Sequence, residues 1–156
     1  MNGHSFQTRV VEQAHHYWTS KCAANRLPSR ADLRPEEMCS ILPHVFLVEV
    51  LQAPLEFRFR LVGTAIDQMV GCNMTGVRVN REEYGPDWQS IFEVYRRVVD
   101  SRTPEIATRS APWPSRDFYV YERFIAPLST DGSSVDMLFG AIEGFSGDAG
   151  GRTNSC

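Results

Sequence analysis

The sequence has few of the features that mark an extracellular, membrane-bound or metal-binding protein. Its 156 residues include only four cysteines, and no two of them form a Cys-x-x-Cys pair. Scattered cysteines favour reduced thiols over a disulfide framework or a structural zinc site. No run approaches the roughly 20 apolar residues that cross a bilayer, and the first residues lack the apolar core of a signal peptide. We therefore expect a cytoplasmic protein without a metal site.

An excess of positive charge is also missing. The 16 lysines and arginines are outnumbered by 19 acidic residues, which gives a net charge of −3. This balance argues against a nucleic-acid partner. The hydrophobic fraction of 42% and the charged fraction of 22% are those of an ordinary globular chain. At this length the chain is expected to form one domain with a sizeable core.

Residues 42–76 form the segment around which the chain is organised. Val45–Leu51 is almost wholly apolar, and Glu56–Val62 alternates apolar and charged side chains, which is the period of a strand. Pro54 lies in the link and lacks the N–H of a ladder position, so the two runs predict a hairpin. The apolar alternation selects a register that pairs Val50 with Phe57, Val48 with Phe59, Phe46 with Leu61 and Glu49 with Arg58.

The remaining segments alternate between helical and strand periods. Helices are predicted at 6–24, in a short turn that starts at Pro35, at 65–70 and at 86–101, and strands at 104–111, 118–126 and 135–144. Turns are predicted at 113–116 and at Asp131-Gly132, and the glycine-rich residues 144–156 form a frayed tail. Strands grouped at both ends, with helices between them, predict an α+β fold with a five-stranded antiparallel sheet.

The first helix carries an apolar stripe at spacings of three and four residues. The stripe consists of Phe6, Val10, Ala14, Tyr17, Trp18 and Cys22. A stripe of this length is too apolar to face water. The helix can fold back over its own sheet, beside an outer face that carries Leu47, Leu51 and Val62, or it can pair with the same helix of a second chain.

The order of these elements resembles the PAS sensor-domain family from about residue 43 to residue 145. The likeness rests on the run FRFRLVGT at 57–64, the turn Gly71-x-Asn73-x-Thr75-Gly76, and Asp32-Leu33…Pro35…Met38…Leu42-Pro43 before the first strand. The first and last of these are similar to a group of stand-alone bacterial PAS proteins. The resemblance implies three parts, which are an N-terminal helical cap at 1–42, a PAS-like domain at 43–145 and a flexible tail at 146–156.

The resemblance also implies a function, since PAS-like helices cover one sheet face and enclose a small cavity. We expect a non-catalytic bacterial sensor or protein-interaction module that binds a small metabolite and signals through a partner protein or through dimerisation. The candidate pocket residues are Phe57, Phe59, Asn73, Trp88, Phe92, Tyr95, Tyr121 and Phe139. PAS-like domains use N-terminal helices for pairing, so we expect a homodimer formed through the stripe that begins at Phe6.

The cofactors of similar proteins do not fit these residues. Flavin photoreceptors of the family place the reactive cysteine directly after the asparagine of the turn, whereas Cys72 here precedes Asn73. Haem-binding members supply a histidine from the long central helix, and residues 86–101 contain none. We therefore expect no cofactor and a colourless protein, with Cys72 as a buried core thiol.

A small α+β cone-fold enzyme of the isomerase or hydrolase type is the alternative. Such an enzyme would use a pocket carboxylate, Asp67 or Glu122, with a tyrosine, Tyr95 or Tyr121. No Ser-His-Asp, Cys-His or P-loop arrangement accompanies them, so no convergent set is visible and we expect no catalysis.

Overall fold

The computed structural model describes residues 5–111 and 119–145, which form a five-stranded antiparallel sheet with helices on both faces. The strands are β1 Val45–Leu51, β2 Glu56–Val62, β3 Glu105–Ala111, β4 Tyr119–Leu128 and β5 Met137–Phe145, in the order β2-β1-β5-β4-β3. The helices are α1 Arg9–Lys21, α2 Thr64–Val70 and α3 Trp88–Ser101. The predicted α+β class and antiparallel sheet are confirmed.

Several boundaries differ from the sequence prediction by a few residues. The helix expected at 86–101 begins at Trp88, and the strand expected to end at 126 continues to Leu128. The segment between α1 and β1 contains three 3₁₀ turns, at Arg30–Asp32, Pro35–Glu37 and Leu42–His44. The turn predicted at 113–116 and residues 146–156 of the predicted tail lie outside the described residues. Within the described part of the chain, no helix has the length and apolar character to span a bilayer.

The strand period divides the buried side chains into two cores, one on each face of the sheet. The α3-side core contains Phe46, Val48, Val50, Phe57, Phe59, Val62, Ile66, Val79, Ile91, Val94, Tyr95, Val98, Ile125, Val135 and Leu138. The α1-side core contains Val10, Val11, Ala14, Trp18, Leu33, Met38, Ile41, Val45, Leu47, Phe124, Ala126, Leu128, Phe139 and Ala141. Neighbouring residues of β4 and β5 therefore alternate between the two cores.

The hairpin register is confirmed over most of its length and wrong at one end. Val50 pairs with Phe57, Val48 with Phe59 and Glu49 with Arg58, as predicted. Beyond Phe59 a β-bulge inserts Arg60 as an extra residue, so Phe46 pairs with Val62 rather than with Leu61. The bulge leaves Leu61 exposed and points Val62 into the α3-side core. The sequence period had instead placed Val62 on the outer face of the sheet.

Helix α1 folds back over its own sheet. Val10, Ala14 and Trp18 of the stripe are buried against β4 and β5, and the Trp18 indole Nε1 donates a hydrogen bond to the Pro127 carbonyl at 3.0 Å. The outer face of the sheet is strongly apolar, and this helix covers it within one chain. The stripe is therefore not a free dimerisation surface, which corrects the surface assigned to it from sequence.

A buried carboxyl group fixes the start of α1. Glu122 of β4 is 1% exposed, and its oxygens accept hydrogen bonds from the backbone N–H of Gln7 at 3.0 Å and from the N–H and hydroxyl of Thr8 at 2.9 Å each. The Thr8 hydroxyl also accepts from the Val11 N–H at 3.2 Å, as an N-cap residue does. Glu122 thus meets N–H groups at the positive end of the helix, where negative charge is favoured.

Removing this carboxyl group is expected to destabilise the fold. Glu122→Ala leaves buried donors of Gln7 and Thr8 without an acceptor, and we expect a loss of about 2–4 kcal/mol in the free energy of unfolding. Glu143→Ala is the matched control, because Glu143 also accepts from an α1 N–H, that of Val10 at 3.3 Å, but is only half-buried. Urea denaturation measures both. Equal losses in the two variants would contradict the role assigned to Glu122.

Candidate ligand-binding site

A cavity of about 540 Å³ opens between the β1–β2 link, the start of β2 and the first turns of α3. Its lining consists of Pro54, Leu55, Glu56, Phe57, Arg78, Val79, Asn80, Trp88, Gln89, Phe92 and Glu93. This volume lies within the range of small-molecule sites.

Three aromatic rings give the cavity its apolar wall. Phe57 is 1% exposed, and its ring lies 5.0 Å from that of Phe92 at an interplanar angle of 71°. The Trp88 ring lies 5.7 Å from that of Phe92, because residues four apart on a helix share a face. Both contacts are edge-to-face, the geometry that aromatic pairs prefer. The arrangement suits a flat apolar or aromatic ligand.

Polar groups form the rim of the cavity, and a loop fixes their position. Residues 76–79 run beside β2, where the Phe59 N–H donates to the Val77 carbonyl and the Val79 N–H donates to the Phe57 carbonyl, both at 2.9 Å. These bonds cover the outer edge of β2. They also place Arg78 and Asn80 beside the cavity, opposite Gln89 of α3. The rim can therefore hydrogen-bond one or two polar groups of a ligand.

The structure brings together five of the eight candidate pocket residues. Phe57, Trp88 and Phe92 line the cavity, while Phe59 and Tyr95 pack directly behind it. The Tyr95 ring contacts those of Phe57 and Phe59, with centroids 5.4 and 6.3 Å apart. Their predicted role in ligand binding stays a prediction.

The other three candidate residues lie elsewhere. Asn73 is exposed, and its side-chain oxygen accepts from the Thr75 N–H at 3.0 Å, so it shapes its own turn. Phe139 faces the α1-side core, because the strand period points it away from α3. Tyr121 does not line the cavity.

Sequence reasoning missed the polar rim and one ring. Arg78 and Asn80 lie in a segment with no strand or helix period, and only the hydrogen bonds to β2 place them. Tyr84 comes from the same segment, and its ring stacks on Phe59 with centroids 6.3 Å apart at 14°. Its isolated position in the sequence gave no signal of this contact.

The carboxylates and tyrosines of the alternative enzyme hypothesis do not converge. Glu122 lies on the α1 side beneath Thr8, whereas Tyr95 lies in the α3-side core. Asp67 is engaged by its own loop, where it accepts from the Met74 N–H at 3.0 Å. Burial raises the pKa of Tyr95 well above its usual value. Its hydroxyl is therefore a hydrogen-bond donor at neutral pH and not a base.

Cys72 is exposed, not buried as the sequence suggested, because the Gly71 turn carries it to the surface. Cys22 is half-buried and Cys39 is exposed. In the described ranges, no three histidine, cysteine, aspartate or glutamate side chains are close enough together to hold a metal ion.

Comparison with known proteins gives one family and a set of structural neighbours. The model of a family described as PAS domain matches residues 6–143. No curated protein matches the chain. Among solved structures, 72 chains match.

Three solved structures illustrate the likeness, and at 14–16% identity they share the fold alone. A Rhodobacter sphaeroides LOV protein matches 69% of this chain and 61% of its own, with a TM-score of 0.51. Vibrio cholera VqmA, solved with a ligand and DNA, matches 72% and 51%, with a TM-score of 0.52. A fungal LOV domain photoreceptor matches 86% and 91%, with a TM-score of 0.51. The chain thus spans about three fifths of the first protein and half of the second.

The two rings at the cavity wall are expected to differ in their contribution to stability. Phe57→Ala removes a fully buried ring and should cost about 3–5 kcal/mol of unfolding free energy, whereas Phe92→Ala removes a half-buried ring and should cost about 1–2 kcal/mol. Urea denaturation of both variants tests this. A larger loss for Phe92→Ala would mean that the ring of Phe92, and not that of Phe57, supports the wall.

Proposed function

Because the chain belongs to the PAS domain family, we propose that it is a non-catalytic sensory module that binds a small apolar or aromatic metabolite in the cavity beside α3. The observation that carries the proposal is the open space of about 540 Å³ left between Phe57, Trp88 and Phe92. The rim residues Arg78 and Asn80 would orient a polar group of the ligand.

A ligand in this position would act on the packing of α3. It would contact the first turns of the helix on one side and the β1–β2 link on the other, so it would favour arrangements that hold these elements together. Phe57 extends the contact inward, because its ring touches both Phe92 and Tyr95. The change would reach the centre of the sheet through packed rings.

Helix α1, on the opposite face of the sheet, would transmit the signal to a partner. Two groups of β4 hold this helix, which are the Glu122 carboxyl at its start and the Pro127 carbonyl beneath Trp18. The face of α1 that points away from the sheet is polar and exposed, and it carries Arg9, Glu12, Gln13, His16, Thr19 and Ser20. This face would meet the partner, either another bacterial cytoplasmic protein or a second copy in a homodimer, without using the buried stripe.

Native mass spectrometry of the intact chain, purified from a bacterial host, tests the cavity. We expect a bound small molecule with the wild-type chain and its loss in Gln89→Trp, which places an indole in the cavity mouth. Ser90→Trp is the matched control, because Ser90 is the next residue of α3, is exposed and does not line the cavity. This variant should keep the molecule.

Two results would contradict the proposal. One is a copurified molecule that stays bound in Gln89→Trp as firmly as in Ser90→Trp, since it would then bind elsewhere. The other is a wild-type chain that carries no molecule and whose tryptophan fluorescence does not respond to a set of aromatic metabolites.

A further inference from the structure

Arg123 is a buried arginine that the cavity does not use. It lies in β4 between Glu122, which bonds to the start of α1, and Phe124 of the α1-side core, so the strand period points it to the α3 side. Its side chain is 6% exposed. Within residues 5–111 and 119–145 its guanidinium makes no hydrogen bond and no ion pair. None of its nitrogens is completely enclosed, so the group borders an accessible space.

A buried cation without a partner is costly, and the surrounding residues do not offset the cost. Glu105 of β3 is one carboxylate on which the Arg123 charge acts, but this carboxylate already accepts two hydrogen bonds from Arg97, at 2.8 and 2.9 Å. The neighbouring sheet positions are small or apolar. Ala107 pairs with Arg123 in β3, and Ile142 pairs with it in β5. Folding alone would favour an apolar residue here.

Like Arg123, two phenols lie on the α3 side of the sheet, Tyr95 within the α3-side core and Tyr84 packed against it, and both can donate hydrogen bonds. Burial raises the pKa of the Tyr84 and Tyr95 hydroxyls, and the positive charge of Arg123 offsets only part of this rise. Both hydroxyls therefore keep their protons at neutral pH. A guanidinium beside protonated phenols presents donors without an internal anion to receive them, which is the requirement for binding an anion.

We propose that Arg123 anchors a binding site for a small monocarboxylic acid between β4 and α3, with Tyr84 and Tyr95 as further hydrogen-bond donors. The guanidinium fork matches the two oxygens of a carboxylate. One negative charge neutralises the Arg123 cation, whereas a phosphate dianion would leave a surplus charge beside Ile125 and Ile142. The ligand is therefore a monoanion with an apolar body.

This site is distinct from the aromatic cavity. Arg123, Tyr84 and Tyr95 are not among the residues that line the cavity. The ring of Phe57 lines the cavity and contacts those of both Phe92 and Tyr95. The inference therefore does not depend on a ligand in the cavity.

Thermal unfolding of the intact chain at constant ionic strength tests the site, with sodium propionate and sodium benzoate as probes and benzamide as the uncharged analogue of benzoate. We expect a saturating carboxylate to raise Tm by about 3 °C and benzamide to have no effect. Arg123→Met keeps the apolar stem and should abolish the rise. Arg109→Met removes an exposed arginine from the adjacent strand β3 and should keep it.

Arg123→Lys is the second variant. It retains the charge without the fork and should show a reduced rise, so the wild type, Arg123→Lys and Arg109→Met decide the question if Arg123→Met does not fold. Three results would overturn the proposal: no rise with either carboxylate in the wild type, an equal rise after substitution of Arg123, or an equal rise with inorganic phosphate. The last would show an anion site without preference for carboxylates.

Discussion

The structure depends on strand β4, which places two adjacent charged residues on opposite faces of a sheet that has helices on both sides. β4 is paired on both edges, with β3 and β5, and helices pack over both of its faces. Glu122 and Arg123 are therefore both buried, although their charges do not meet. The Glu122 carboxylate accepts three hydrogen bonds from the start of α1, while the Arg123 guanidinium donates none to the described residues. The Glu122 charge stabilises the fold, whereas we assign the Arg123 charge to ligand binding.

This asymmetry gives the sheet a means of connecting its two sides. A ligand charge that reaches Arg123 would act on the same strand that holds α1 through Glu122 and through the Pro127 carbonyl. The aromatic cavity would act on the strand less directly, through the packed rings of Phe57 and Tyr95. Both routes would lead to α1, because this helix packs on β4 and β5 on the face opposite α3.

The sequence predicted the elements whose period is local and missed the features that depend on distant contacts. The bounds of β1 and β2 follow from apolar alternation and from Pro54. The bulge at Arg60 does not, because it arises from pairing with β1 and not from the residues of β2 alone. Phe57, Trp88 and Phe92 were found by their spacing, but Phe139 was assigned to the wrong face, since an alternating strand buried on both sides gives no sign of which side faces α3. The packing of α1 on the sheet and the lack of a partner for Arg123 among the described residues both depend on tertiary contacts, which a local sequence pattern does not predict.

We infer that Arg123 serves the binding of a ligand and not the stability of the fold. Urea denaturation of the wild type and of Arg123→Met, with no carboxylate in the buffer, tests it most directly. We expect the variant to be as stable as the wild type or more stable, because replacing an unpaired buried charge with an apolar side chain of similar length removes a desolvation cost. A loss of about 2 kcal/mol or more in unfolding free energy would contradict it, since Arg123 would then stabilise the fold itself.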